Sequence, residues 1–508
     1  MAYSIESFGV LGGGTAGYLT AIALKKNFPQ VNVSLIESSN IPIIGVGEAT
    51  FVSILNFLHN ELGFDLQEFY QKVRPTLKLG IHFEWGLPGD YYFNYPIEPG
   101  DPIEGLKLMG DINQSALSSI LMNHKKSFIV PKQSPSSAES FHIANSNANY
   151  AYHLDNKLLV TFLKEKAVEI GVELVDATID SAKQSSLDGA VTGLLTSTGE
   201  LLSYDFYFDC SGFRSLLMGA TLKNRFIDYK NSLFTDRAIA FSIPNGNSPC
   251  PYTSAITMPC GWMWNTPLRE ADHMGYVYSS GFCSDDEAWH EINLRYPEVK
   301  EFRVVKFTSG RYENFCQGNV IAIGNAHGFI EPLEATGIHM ITRAIQMSVT
   351  HLKGLVLNEE SKCELNRAMN EKWDQLRWFI ALHYKYNKRL DTPFWKACRS
   401  DVDTSGYEDL ISMYEENGPL RLDSTGVGRA ARSRLKDCPF SVNGLDMILS
   451  GQGVLPNKIC LSLSERQQTL RQQASIWTQI AQRALSHNAA LKLIEEQPDV
   501  FAENIRNR

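Results

Sequence analysis

The chain has 508 residues, 44% of them hydrophobic and 20% charged, with a formal net charge of −9. That length supports a large core divided over more than one structural unit, while the acidic balance and the lack of a long basic run exclude a nucleic-acid binder. No run of 18 apolar residues occurs and Met1-Ala2-Tyr3-Ser4-Ile5-Glu6 does not pattern as a secretory signal, so neither a membrane span nor export is expected.

In chain order, Ser7-Phe8-Gly9-Val10-Leu11 predicts a strand, Tyr18 to Lys26 a helix, and Val31 to Ile36 a second strand. This is a βαβ unit with a parallel pair. Between strand and helix, Gly12-Gly13-Gly14-Thr15-Ala16-Gly17 matches G-x-G-x-x-G. Gly12 makes the tight turn, Gly14 lets backbone approach a pyrophosphate, and Gly17 lets helix and strand pack closely. The helix start at Thr15 and Ala16 turns its N–H groups toward the phosphates. Glu37, at the end of the second strand, is placed to bind the ribose hydroxyls. A glycine-rich turn alone is a weak signal; strand, helix and acid in register make it a dinucleotide site.

Asp205 to Asp209 and Asn319 to Ile323 predict further strands of the same sheet, each running into a glycine turn. Residues 125–150, rich in Ser, Asn and Ala, read as loop, the end of an insertion spanning about 85–150. From Glu359 the texture changes: Glu371 to Lys385 has apolar residues at helical spacing, and Ser464 to Ile494 reads as one or two long helices. The expected fold is therefore α/β, with a Rossmann-like dinucleotide-binding module in residues 1–390 and a mainly helical region in 391–508. A second glycine match, Gly426 to Ala431, follows no strand-like run and reads as a loop, so no separate NAD(P)H domain is evident. The nine cysteines, from Cys210 to Cys460, include no C-x-x-C and none near a His cluster at ligand spacing. Neither disulfides nor a metal site is expected, and a reducing cytoplasm is.

Several segments carry a resemblance. Gly45-Val46-Gly47-Glu48-Ala49-Thr50, Thr76-Leu77-Lys78-Leu79-Gly80, Asp209 to Ser215, Gly261-Trp262-Met263-Trp264-Asn265-Thr266-Pro267, Pro332-Leu333-Glu334-Ala335-Thr336-Gly337 and Asp391 to Trp395 occur in this order. Together they resemble the flavin-dependent tryptophan halogenases from Gly12 to about Arg399, with Thr266 where the family's Trp box has Ile, and the resemblance implies that residues 1–390 are an FAD-binding module of the flavin-monooxygenase type and 391–508 its substrate side. The resemblance implies an enzyme that uses FADH2, O2 and chloride or bromide to make hypohalous acid and halogenate an electron-rich, indole-like ring. It places Lys78 and Glu334 in the catalytic roles and the halide at Thr336 and Gly337. Glu48, Ala49, Asn325 and Ile338 would face the flavin, and Trp262 and Trp264 would shield it from the substrate. A separate flavin reductase would supply FADH2, the substrate would be a small aromatic, and a homodimer is the expected assembly.

Without these flanking motifs the same residues say less. Lysines are mostly solvated, paired tryptophans on one strand face are commonly core, and an acid before a helix complements its dipole. Lys78 can act as an ammonium that hydrogen-bonds the oxidant or, with its proton affinity lowered by burial, as an N-haloamine. Glu334 can polarise the oxidant or take the ring proton. Two departures put free tryptophan in doubt: Asn94 stands in Tyr91-Tyr92-Phe93-Asn94-Tyr95-Pro96 near a position where the tryptophan-specific members often have His, and Cys438 to Met447 lacks their Tyr-Tyr pair. The competing readings are a flavin-dependent aromatic hydroxylase, which needs its substrate against the flavin, and a non-catalytic FAD-binding protein.

Overall fold

Parallel strands covered on both faces need continuous apolar runs rather than alternation, and the segments that supply them meet in one sheet. The computed structural model describes residues 5–42, 47–97, 112–132, 141–144, 149–420, 426–436, 438–457 and 463–506. Gly45 and Val46 of the Gly-Val-Gly-Glu-Ala-Thr run lie outside them. Six strands lie in the order Glu173–Asp176, Asn32–Glu37, Ser7–Leu11, Phe206–Asp209, Val320–Ala322 and Cys316–Gln317. The first five are parallel and the last is antiparallel. Ser7–Leu11 is central, with Val10 opposite Leu35 on one side and Phe208 on the other. The predicted βαβ unit is thus present, with Thr15–Asn27 as its helix.

The glycine turn owes its shape to crowding. Gly12 has φ 127°, and a Cβ there would lie 2.3 Å from the Cys210 carbonyl oxygen. A Cβ on Gly17 would lie 1.8 Å from the Gly12 oxygen, whereas one on Gly14 would meet nothing within 4 Å. The first two glycines are demanded by packing; the third leaves an open approach to the backbone.

A seven-stranded sheet carries the Trp box in the order Arg303–Lys306, Arg237–Pro244, Ala271–Tyr278, Gly261–Pro267, Thr253–Met258, Gly80–Glu84 and Phe93–Pro96. Side chains alternate between its faces. Met263 packs with Tyr276 and Met274 under the helix Asp285–Arg295, while Trp262 and Trp264 turn to the main core. Between the two large sheets is a small antiparallel one, with Ala151–Asp155 flanked by Gly47–Ala49 and Thr76–Lys78.

The helix Glu359–Tyr386 has 28 residues, about 42 Å at 1.5 Å per residue. The Asn358 side chain caps it by accepting from Ser361 N. Its buried stripe, Leu365, Met369, Trp373, Leu376, Ile380 and His383, has helical spacing. Thr392 caps Pro393–Asp401, where Pro393 occupies the first turn and loses no hydrogen bond. Leu463–Arg483 and His487–Glu496 realise the two helices expected near the C-terminus. One set of touching buried side chains extends from Phe8 in the first sheet to Phe501 in the last helix.

Two sequence expectations are corrected. Gly426–Arg434 is a helix rather than a loop: Arg429, Ala430, Ala431 and Arg432 are good helix formers, Ala431 is buried, and together they offset the two glycines. The insertion is also structured where described. It contains the strand Phe93–Pro96, the helix Leu117–Asn123 and a hairpin of Ile129–Pro131 with Phe141–Ile143. Ile129 and Leu485 hydrogen-bond each other's segments and tie this hairpin to the C-terminal helices, a long-range pairing that local composition does not reveal.

The two glycines should separate in a test. Gly17→Ala should destabilise the protein by about 1–3 kcal/mol through overpacking, read by denaturant unfolding. Gly14→Ala should leave stability within about 0.5 kcal/mol yet weaken dinucleotide binding, read with FAD as the probe in a fluorescence titration.

Candidate active site

The glycine-turn side of the site is built from backbone. No side chain caps the helix Thr15–Asn27 at Gly14, so its first N–H groups face the opening above that residue. Glu37 closes the second strand. Its Oε2 accepts from Tyr18 Oη at 2.8 Å and its Oε1 from Lys164 Nζ at 2.6 Å, which fixes the carboxylate beside Gly13. Thr15 Oγ1 donates to Asn156 Oδ1. Gly324, with φ 67°, brings the turn carrying Asn325 against Ala16, and Asn325 is exposed there. Glu48 and Ala49 lie on Gly47–Ala49; Glu48 keeps some exposed surface, yet burial of its carboxyl raises its pKa to about 7. An open backbone approach, an uncapped helix start and a fixed carboxylate fit a dinucleotide.

Lys78 is on the other side of the small sheet. Its strand pairs with Ala151–Asp155, whose opposite edge pairs with Gly47–Ala49, so His153 faces Thr76 on one side and Ala49 on the other. The lysine is 2% exposed, and its Nζ donates to the Thr50 carbonyl at 3.0 Å. The amine therefore reaches across one strand to the residue that follows Ala49. Burial lowers its pKa from 10.5 to about 8, and the negative charge of Glu334 opposes that fall. The strand is held from below. Thr76 Oγ1 donates to Pro267 O at 2.7 Å, so it must accept from His153 Nδ1–H at 2.9 Å, and His153 Nε2 then accepts from Thr253 Oγ1.

Glu334 is also 2% exposed, and burial raises its pKa while His383 and Lys78 pull it down. Its Oε1 is 2.7 Å from His383 Nε2. The other ring nitrogen, His383 Nδ1, is 2.8 Å from the Phe379 carbonyl, which can only accept, so Nδ1 carries a proton. One proton is then shared between Nε2 and the carboxylate. Three residues earlier, Glu331 is fully buried, accepts short hydrogen bonds from Thr235 and Tyr384, and burial raises its pKa to about 7. Ala335, between Glu334 and the helix Thr336–His351, has the left-handed φ of 57°. Thr336 is buried and Gly337 exposed with open space above it; no side chain caps this helix start either. Ile338 is buried behind them.

Trp262 and Trp264 lie on the same face of their strand with ring centroids 6.3 Å apart. Trp262 is 1% exposed and neighbours Glu331, while Trp264 lies flat over Gly275, where a Cβ would enter its ring. The structure thus brings Lys78 and Glu334 together and sets Trp262 beside the carboxyl of the same Pro-Leu-Glu segment. His383, Glu331 and the Thr50 carbonyl were not foreseen. The only sequence signal for His383 is a lone His on the apolar stripe of a helix. Asn94 is fully buried and engaged with His82, Ser119 and Asn123. The wall around His383 is aromatic, from Phe83 and Phe93, stacked at 4.9 Å, and Phe379 and Phe440, stacked at 4.0 Å.

Comparison with known proteins gives this constellation a family. Residues 7–467 match the family described as tryptophan halogenase. The chain belongs to the tryptophan halogenase family. It is an enzyme of the halogenase type, with the α/β fold and helical C-terminal part of flavin-dependent halogenases. It is 30% identical to tryptophan 7-halogenase RebH of Lentzea aerocolonigenes over 82% of each chain. It is 29% identical to tryptophan 6-halogenase ThaL of Streptomyces albogriseolus over 98% of this chain and 97% of that one. Among solved structures it resembles MibH, a lanthipeptide tryptophan 5-halogenase, with 39% identity, TM-score 0.90, and coverage of 99% of this chain and 95% of that chain. Among the described residues no helix of this halogenase is long and apolar enough to cross a membrane.

The burial of Lys78 has a stability cost with a defined pH dependence. Its pKa in the fold, about 8, is below the ordinary 10.5, so the fold carries the full penalty below pH 8 and loses it as pH rises toward 10.5. Lys78→Met should therefore stabilise the enzyme by about 1–2 kcal/mol at pH 7, after the loss of the bond to Thr50. Denaturant unfolding should show that gain shrinking between pH 8 and 10.5.

Proposed function

We propose that the enzyme halogenates an electron-rich indole ring with hypohalous acid delivered at Lys78. The observation that carries this reading is a lysine buried with Glu334 opposite it and its Nζ bonded to the carbonyl of Thr50, the residue that follows the strand Gly47–Ala49. FAD would be held at Gly12, Gly14, Thr15, Ala16, Gly17 and Glu37, with Glu48, Ala49, Asn325 and Ile338 toward the ring and Thr336 and Gly337 toward the halide. Bound as FADH2 and supplied by a separate flavin reductase, it would provide, with O2, the oxidising equivalents that convert chloride or bromide to hypohalous acid.

The chain's own residues do the rest. Trp262 and Trp264 exclude the substrate from the flavin, so a small oxidant must travel. Lys78 is the trap. Its bond to a carbonyl and its pairing with Glu334 favour the ammonium over the N-haloamine at neutral pH, and an ammonium donates to the oxygen of HOX. The arene attacks the halogen, the O–X bond breaks, and the departing hydroxide takes a proton from Nζ to leave as water. The ring then loses its proton to Glu334, which His383 holds in place. That proton restores the ammonium, so the cycle closes.

Similarity also bears on the substrate. This chain is 39% identical to the lanthipeptide tryptophan 5-halogenase and 26% identical to the structure of tryptophan 6-halogenase SttH. Together with the engaged Asn94, this supports a tryptophan ring carried on a peptide rather than the free amino acid.

The test is an assay of purified enzyme with a flavin reductase, NADH, FAD, bromide and a panel of tryptophan peptides, indole and free tryptophan, read by mass spectrometry. Brominated product is expected, with peptides preferred. Hydroxylated product, or none with any ring, would overturn the reading. Lys78→Met should abolish bromination while flavin reoxidation continues at its normal rate. Glu334→Gln should lower kcat by about 100-fold or more. With the ammonium as donor, kcat/KM should fall as pH rises through about 8; a rise through that value would assign the neutral amine instead.

A further inference from the structure

On the face of the seven-stranded sheet opposite Trp262, three ligand-type side chains converge from three segments. Cys260 is in the turn that leads into Gly261–Pro267. Cys283 follows the strand Ala271–Tyr278, just before Ser284 caps the next helix, and Glu291 is on that helix, Asp285–Arg295. The two sulfurs and a carboxylate oxygen lie within 4.8 Å of one another. Cys283 is 5% exposed, while Cys260 and Glu291 are partly buried.

The cluster is built rather than incidental. Glu291 Oε2 is enclosed and has no hydrogen-bond partner, an unfavourable arrangement unless something else occupies that lone pair. Tyr276 Oη accepts from Cys260 N at 3.0 Å, which leaves its own O–H for Glu291. The turn is fixed from behind, because Thr392 Oγ1 donates to Pro259 O at 2.6 Å. The helix start is fixed by a capping box of Ser284 and Glu287. Glu287 adds a further negative charge beside all three side chains.

We propose that Cys260, Cys283 and Glu291 form a zinc(II) site, with water as the fourth ligand. Two sulfurs exclude magnesium and calcium, which take oxygen ligands. The carboxylate disfavours copper(I), which selects soft thiolate and thioether ligands. Zinc accepts both donor types at about 2.0–2.3 Å in a tetrahedron, which side-chain rotation can close from the present spacing. Without metal, Cys260 Sγ donates to Phe282 O at 3.6 Å and Cys283 Sγ to Ser284 O at 3.3 Å. Burial holds both thiols above their ordinary pKa, and a bound dication reverses that preference. Binding balances as one Zn²⁺, two thiols and one carboxylate giving a thiolate–carboxylate complex and two released protons. The ion clamps the turn that begins the Trp262 strand onto the helix Asp285–Arg295. The spacing of Cys260 and Cys283 in the sequence matches no zinc pattern, and only the fold brings the two sulfurs together.

The experiment uses the full chain, reduced with a phosphine, stripped with a chelator and titrated with zinc or cobalt(II) chloride. One zinc per chain should survive dialysis, with two protons released and a rise in Tm. The cobalt form should show thiolate charge-transfer absorption and tetrahedral d–d bands. Cys260→Ser with Cys283→Ser should weaken zinc binding about 100-fold or more. Glu291→Gln should weaken it while keeping the charge-transfer band, and Cys363→Ser, an exposed thiol elsewhere, should change nothing. Wild-type protein that retains no zinc, or binding that is unaffected by the double substitution or abolished by Cys363→Ser, overturns the proposal.

Discussion

A cation enclosed by protein must be compensated or must lose its proton. Lys78, 2% exposed, has the carbonyl of Thr50 at 3.0 Å and the opposing charge of Glu334. These keep it from the deeper fall that burial alone would produce. The same enclosure acts in the opposite sense on acids: it raises Glu334, Glu331 and Glu48. The result is a lysine made less basic than in water facing a carboxyl made less acidic, with Glu334 the charge that opposes the fall at Lys78.

Two short pieces of chain position the groups around this enclosure. The strand Ala151–Asp155 has Glu48 and Ala49 along one edge and Lys78 along the other. The segment Pro332–Gly337 bridges the same two regions. The left-handed turn at Ala335, φ 57°, costs on the order of 1 kcal/mol. It sets Glu334 among buried side chains while the next two residues open a helix whose N-terminus no side chain caps. An acid facing the lysine and an uncapped helix start thus come from one four-residue segment, Glu334 to Gly337. Glu331 joins the two regions again through Thr235, Tyr384 and the neighbouring Trp262, and Tyr384 follows His383 on the same helix.

What was legible in the sequence follows from how local each signal is. The βαβ unit was readable because strand, glycine turn, helix and Glu37 are contiguous, and a parallel sheet demands uninterrupted apolar runs. Lys78, Glu334 and the Trp pair were readable only through their flanking motifs, since each residue type alone is usually surface or core. His383 was invisible: its role depends on a helix crossing behind a residue 49 positions earlier. The Thr50 carbonyl was invisible because backbone acceptors carry no residue identity. The hairpin at Ile129 and Phe141 was hidden by its polar surroundings, and the helix at Gly426 by two glycines that its alanines and arginines outweigh.

The protonation of Lys78 is the quantity on which the account turns, and it can be observed directly. Enzyme carrying ¹⁵N at lysine Nζ, with the Lys78 signal identified by its absence from the Met variant, would be titrated by NMR without flavin or substrate. The account predicts a midpoint near 8, well separated from the other lysines, that moves lower when Glu334 is replaced by Gln. A midpoint with the solvated lysines, indifferent to Glu334, would contradict it.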